Sequence, residues 1–203
     1  INTSRLGGTK GNSEFFSSLH RHTAIHTLSL FGVDMLENSG SALRDLLRRN
    51  RSLENLSFSC NDLNVPARFI AQGLQQNKMI HTISFDGCNL RDNNFHEIFR
   101  AISSDRCGVQ EVLTNDNPVT IVSLLEALDA TKGENATLRA IYFGFSTKVF
   151  TVDSGEWKPV VRFVEEEHRT TTRLRDFSLE GCDVPEEACR SLISALETNT
   201  YLN

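Results

Sequence analysis

An eleven-residue pattern recurs along the chain and constrains its fold more than any other feature. The pattern has apolar residues at positions one, four and six, asparagine or cysteine at position nine in most copies, and an apolar residue near position eleven. Alternation of apolar and polar residues over the first six positions predicts a short β-strand in each copy. The copies are IHTLSLFGVDM from Ile25, LENLSFSCNDL from Leu53, IHTISFDGCNL from Ile80, VQEVLTNDNPV from Val109, LRAIYFGFSTK from Leu138 and LRDFSLEGCDV from Leu174.

The spacing of the copies is nearly constant. They begin at residues 25, 53, 80, 109, 138 and 174, a further copy begins at Leu202, and the separations are 28, 27, 29, 29, 36 and 28 residues. Each gap contains apolar residues at helical spacing, as at Leu43, Leu46 and Leu47. Strand and helix therefore alternate at a fixed period, which predicts a repeat architecture. The one long separation predicts an insertion around residues 146–173.

The strand template, the helical stripe and the period together resemble the leucine-rich repeats of the ribonuclease-inhibitor-like class. The resemblance implies an α/β fold, a right-handed leucine-rich-repeat solenoid or horseshoe with a parallel concave β-sheet and convex α-helices, in about six to seven repeats. The motifs extend over nearly the whole chain, so we expect a single leucine-rich-repeat domain over residues 1–203. Because partial copies stand at both ends, we expect a domain truncated at both ends, an excerpt of a longer array.

Some positions depart from the pattern or suggest particular turns. Thr114 stands at a core position of the fourth copy, and Ser146 and Lys148 replace the usual residues of the fifth, so we expect distorted turns there. Asparagines stand three residues before four of the copies, where we expect a left-handed backbone that ends each helix. They are Asn50, Asn77, Asn135 and Asn199.

Composition and charge exclude several classes of function. The net charge of -5 disfavours nucleic-acid binding, which usually requires a basic excess. No apolar run is long enough to cross a membrane, and the first residues lack the layout of a signal peptide. The 5 cysteines are an odd number without a CxxC pair, which favours a reducing compartment over a disulfide framework. We therefore expect a cytoplasmic protein without membrane insertion.

No catalytic or metal-binding constellation emerges from the sequence. His20, His22 and His26 lie close together, but their spacing places them on different faces, and no carboxylate or thiol ligand accompanies them. The stretch TNDNP lacks the glycine and distal glutamate of a calcium loop. Cys60 is expected to be exposed but has no base beside it. We expect no enzyme, no metal and no cofactor.

A partner surface is predicted on the strands. In a solenoid the polar template positions face away from the helices, and the central copies place large apolar side chains and acids there. The predicted partner-binding residues are Leu113, Tyr142 and Phe145 with the acidic rim Asp86, Asp116 and Glu180. Aromatic anchors with a charged rim are typical of protein interfaces. The alternative is that Phe145 folds into its own loop and Tyr142 is a solitary exposed ring.

Two further segments each allow two interpretations. Trp157, in the predicted insertion, either contacts a partner or packs against the helix that Pro159 begins. The basic run RDLLRRNR, from Arg44 to Arg51, is either a solvated helix face or a docking patch.

The function that these patterns favour is non-catalytic protein binding, as an interaction module or scaffold of a larger cytosolic protein. The concave face would bind a protein partner whose identity the repeats do not specify. One alternative is a regulator of a partner enzyme, such as the activators of small GTPases that the repeat type resembles. Another is a structural spacer without a partner of its own.

Overall fold

All strands of the described chain belong to one parallel sheet. The computed structural model describes residues 2–3, 8–33, 35–132, 136–144, 153–166, 173–200 and 202. In these ranges the sheet has seven strands, and their order in the sheet is their order in the chain. The strands are β1 Asn2–Thr3, β2 Thr27–Leu30, β3 Asn55–Ser57, β4 Thr82–Ser84, β5 Glu111–Leu113, β6 Ala140–Tyr142 and β7 Asp176–Ser178.

A helix follows each of these strands, and consecutive helices pack side by side. The helices are α1 Gly8–Leu19, α2 Glu37–Arg49, α3 Ala67–Leu74, α4 Asp92–Ile102, α5 Ile121–Asp129, α6 Lys158–Glu166 and α7 Glu186–Thr198, with a 3₁₀ turn at Ser154–Trp157 before α6. The predicted α/β solenoid with a parallel sheet and a layer of helices is confirmed. No described helix is both long and apolar enough to span a bilayer.

The register of the sheet places equal template positions side by side. Leu28, Leu56, Ile83, Val112 and Ile141, all at position four, are partners across neighbouring strands and are buried beneath the helices. A slip of one residue would turn this apolar row to the other face, so the repeated template determines the register.

Phenylalanine rings form the centre of the core. Phe58 stacks on Phe85 with 5.8 Å between ring centroids, and Phe85 meets Phe95 edge to face at 6.3 Å. Phe143 lies 6.4 Å from both Phe95 and Phe99. The rings come from positions six of the strands and from α4, so they join the sheet to the helix layer.

The described asparagines before the strands do not have the predicted backbone conformation. Asn50 and Asn199 have extended backbones, with φ of -67° and -83°, so the expected left-handed helix end was wrong there. Asn77 is not left-handed either. Instead, the Asn50 side chain donates to Leu19 O at 3.0 Å and accepts from Leu53 N at 2.8 Å, and thus bridges two repeats. Asn135 lies outside the described residues.

The left-handed backbone occurs instead at template position eight. Gly32, Cys60, Gly87, Asp116 and Gly181 all have φ between 56° and 66°. Each begins the turn that leaves the strand, and glycine is the residue that adopts this conformation at least cost. Cys60 and Asp116 adopt it despite their Cβ atoms.

The expected irregular turns fall partly within the described chain. Thr114 is buried, and both its backbone N and its Oγ1 donate to Tyr142 O, at 2.8 and 3.1 Å. The hydroxyl is therefore satisfied, and β5 keeps its pairing with β6. Ser146 and Lys148 lie outside the described residues. Of the predicted insertion, residues 153–166 and 173 are described, and they contain the 3₁₀ turn and α6.

Candidate functional site

The candidate site is the face of the sheet opposite the helices, here called the open face. It consists of the side chains at template positions three and five, continued by positions seven and eight beyond the strand ends. The position-five row reads Ser29, Ser57, Ser84, Leu113, Tyr142 and Ser178, and its members are direct partners across the strands. The row therefore consists of serines except at its centre.

Leu113 and Tyr142 form that centre. They are partners in the register of β5 and β6, and both side chains are partly exposed. Facing side chains of adjacent strands have Cβ atoms about 5 Å apart, so the two contribute one continuous apolar area. The structure thus brings together two of the three apolar residues predicted for the site. Phe145 lies outside the described residues.

Asp86 is a fixed carboxylate beside this centre. Its Oδ2 accepts from Ser84 Oγ at 2.8 Å, and its Oδ1 accepts from Asn115 N at 2.9 Å. The second bond crosses to the next repeat, so the carboxylate is held in one orientation. Its remaining lone pairs are available to a partner.

Asp116 and Glu180 lie further along the same edge and are exposed. Asp116 has a left-handed backbone, and its N donates to Gly144 O at 3.0 Å. Glu180 N donates to Ser178 Oγ at 3.3 Å. Hydrogen bonds therefore fix the backbone of both residues, while their carboxylates face solvent.

Sequence reasoning missed two more acids on the open face, Glu111 and Asp176. Both stand at position three, on the strands that flank β6. Burial, and then the negative charges of Asp176 and Glu111, raise the pKa of Tyr142 above its ordinary value. The tyrosine hydroxyl therefore remains a neutral donor at physiological pH. The sequence did contain a signal for these two acids, because position three of the template is acidic only in these two copies.

Trp157 is placed differently from the other predicted partner residues. It is fully buried, at the end of the 3₁₀ turn Ser154–Trp157, and belongs to the apolar core with Val160 and Val164 of α6. This burial favours the second interpretation of Trp157, in which the ring packs against the helix that follows it.

The histidines and cysteines lie outside the open-face centre. His26 Nδ1 lies 3.3 Å from Glu54 Oε1. Within the ranges that the structure describes, no three or more His, Cys, Asp or Glu side chains are grouped as metal ligands. Cys60 is exposed, whereas Cys88 is buried and its pKa is raised to about 12, chiefly by desolvation. The described site offers packing, hydrogen bonding and negative charge.

Comparison with known proteins gives similarity at the level of fold. No protein-family model matches the sequence, and no curated protein matches it. The chain is similar to the solved tropomodulin C-terminal domain of Caenorhabditis elegans, with a TM-score of 0.58 and 15% identity over 78% of this chain and 91% of that one. It is also similar to leiomodin-1 actin-binding site 2, with a TM-score of 0.52 and 12% identity over 70% of this chain and 78% of that one.

These structures correct the predicted repeat class. The assignment to the ribonuclease-inhibitor-like class was wrong, because the fold is that of the tropomodulin and leiomodin domains. The reason is that a repeat period and a strand template are shared by several repeat folds. The sequence pattern describes one repeat and its period, whereas the comparison concerns the fold of the whole array.

Proposed function

We propose that this chain is a non-catalytic protein-binding module whose open face binds a protein partner at Leu113 and Tyr142. The observation that carries the proposal is the register of β5 and β6, which pairs these two side chains in a row otherwise lined with serines. Apolar anchors within a polar surround are the usual source of binding energy in protein interfaces.

The acids around the anchors determine the kind of partner. Asp86, Asp116, Glu111, Asp176 and Glu180 give the open face a negative rim. A partner surface with lysine or arginine residues around an apolar patch would complement it. Such rim charges mainly accelerate association, so we expect binding to weaken as salt concentration rises.

Phe145 and Trp157 have different roles in this proposal. Phe145, three residues after Tyr142 in the sequence, is a further candidate contact. Trp157 supports the module by anchoring the 3₁₀ turn before α6 in the core, because its ring is buried.

Actin is the partner that we propose to test first. The support is the fold similarity to a solved structure described as an actin-binding site of leiomodin-1. A module that binds actin would act as a cytoplasmic scaffold segment. The free thiols of Cys60, Cys88, Cys107 and Cys189 agree with that compartment.

The experiment is cosedimentation with actin filaments, supported by fluorescence anisotropy with monomeric actin. Leu113→Ala combined with Tyr142→Ala removes the anchors, and we expect affinity to fall about tenfold or more. The matched control is Ser29→Ala combined with Ser57→Ala, in the same row at the other end of the sheet, which should change affinity less than about twofold.

Two results would argue against the proposal in different ways. Failure of the wild type to bind either form of actin would reject actin as the partner. Equal binding by the anchor variant and the control would reject the open face as the binding surface. An anchor variant with an altered thermal midpoint would point to misfolding, so circular dichroism melts of both variants accompany the assay.

A further inference from the structure

A groove of about 430 Å³ lies at the edge of the sheet where helices return to strands. Its lining residues are Arg51, Gln76, Lys78, Met79 and Arg106. They belong to three consecutive connections, those that follow α2, α3 and α4. The groove is thus separate from the open-face centre and from the acidic residues after the strands.

Three cations line this groove without a counter-ion. Arg51, Lys78 and Arg106 are exposed, and in the described part of the chain none of them forms an ion pair. By contrast, Arg44 pairs with Asp45 at 3.0 Å. The two ends of the basic run therefore differ, because Arg44 is neutralised on α2 while Arg51 contributes its charge to the groove.

The connections that carry the cations are held firmly. Asn77 Oδ1 accepts from Met79 N at 2.7 Å, and Gly108 N donates to Asn77 O at 2.7 Å. A Cβ at Gly108 would overlap the backbone of Lys78, so the second and third connections touch directly. Hydrogen bonds and direct contact therefore hold the backbone that carries Lys78, so this part of the groove is ordered before a partner binds.

We propose that this groove binds an acidic segment of a protein partner, an extended stretch with several Asp or Glu residues that crosses the three connections. The groove is many times larger than the ~30 Å³ of a water molecule and spans three repeats, so it fits a chain rather than one small anion. Nucleic acid fits less well, because the residues that line the groove include no aromatic ring on which a base could stack.

The test measures binding of a fluorescein-labelled octaglutamate peptide to the full chain by anisotropy at low salt. The variant Arg51→Gln, Lys78→Gln, Arg106→Gln should bind about tenfold more weakly. The control variant Lys10→Gln, Arg162→Gln, Arg190→Gln removes the same charge from exposed helix positions that pair with local acids. It should change affinity less than about twofold. Equal weakening by both variants would show that net charge alone explains the peptide affinity, and would overturn the proposal.

Cross-linking locates the bound peptide. A carbodiimide joins a peptide carboxylate to a lysine amine as an amide, and we expect Lys78 to be the main acceptor, identified by mass spectrometry. Amides spread evenly over the lysines of the chain would overturn the proposal. So would tighter binding of an octathymidylate oligonucleotide, or displacement of the peptide by inorganic phosphate at an equal concentration. None of these readouts depends on actin or on the open face.

Discussion

Template position nine shows how different side chains perform one task in successive repeats. Asn61 Nδ2 donates to Leu30 O at 2.9 Å, and Asn117 Nδ2 donates to Phe85 O at 2.8 Å. Cys88 Sγ donates to Phe58 O at 2.9 Å. Each of these acceptors is the position-six carbonyl of the preceding repeat. A small buried donor is therefore what the position requires, and the cysteine there is structural.

Burial makes two cysteines unreactive in the folded protein. It raises the pKa of Cys88 to about 12 and that of Cys107 to about 11 from the ordinary 9.0. Because the thiolate is the reactive form, we expect both thiols to resist alkylation at about pH 8. The exposed Cys60 should react at least about a hundredfold faster than either. Peptide mapping by mass spectrometry after timed iodoacetamide labelling measures all three rates in one sample.

The same pKa shifts predict a loss of stability in alkali. Below the ordinary pKa of 9.0, both thiols are neutral in the folded and the unfolded chain, so their contribution to stability is complete. Between 9.0 and about 12 the unfolded chain loses protons that folded Cys88 retains, and the free energy of unfolding falls. Both predictions rest on the raised pKa of Cys88. Equal labelling rates of Cys60 and Cys88 in the folded protein would contradict it, and labelling in denaturant is the control.

At the scale of elements, side chains join each repeat to the previous one where a helix ends. Asn77 Nδ2 donates to Leu47 O, while its Oδ1 accepts from Met79 N and from Ile80 N at 2.8 Å. Asn199 repeats the arrangement, since its Nδ2 donates to Val164 O at 2.7 Å. These bonds satisfy helix-end carbonyls and strand-entry amides that would otherwise be buried without partners.

Substitution of Asn77 tests the strength of this junction. Asn77→Ala leaves one carbonyl and two amides of the buried connection without their partner, so we expect the free energy of unfolding to fall by about 2 kcal/mol or more. Urea denaturation followed by circular dichroism measures it. The control Asn93→Ala changes an exposed asparagine in the first turn of α4 and should stay within about 0.5 kcal/mol of the wild type. Equal losses of unfolding free energy in the two variants would contradict a specific role of Asn77 in joining the repeats.

At the scale of the whole molecule, stability is distributed along the array. Each strand pairs with its neighbours in chain order, and helices contact mainly the helices before and after them. Burial decreases toward β7 and α7, where Phe177 is only partly buried and Ile193 and Leu196 are exposed. In a solenoid, stability is approximately a sum of repeat and nearest-neighbour terms, so the least buried layer opens most easily.

Hydrogen exchange tests this distribution. We expect the amides of β4, which has strands on both sides and a fully buried core row, to exchange at least about tenfold more slowly than those of β7. Exchange followed by mass spectrometry on peptides from each repeat gives the comparison within one sample. Uniform protection across the repeats would show that the array opens only as a whole and would contradict the expectation.

Local periodicity accounts for the features that could be predicted from the sequence. The strands, the helices, their order and the face to which each strand residue points follow from alternation and helical spacing, which are properties of neighbouring residues. The pairing of Leu113 with Tyr142 follows as well, because equal template positions align across a parallel sheet. The open face as a candidate site was therefore predictable, although Glu111 and Asp176 were overlooked.

Contacts between repeats determine the features that the sequence patterns did not predict. The asparagines bridge repeats instead of turning the backbone, Trp157 enters the core, and the overall fold is similar to that of the tropomodulin and leiomodin domains. Arg51, Lys78 and Arg106 come together although they are far apart in the chain. Turn geometry and the stacking of consecutive repeats place these groups, and both depend on contacts between residues that are distant in sequence.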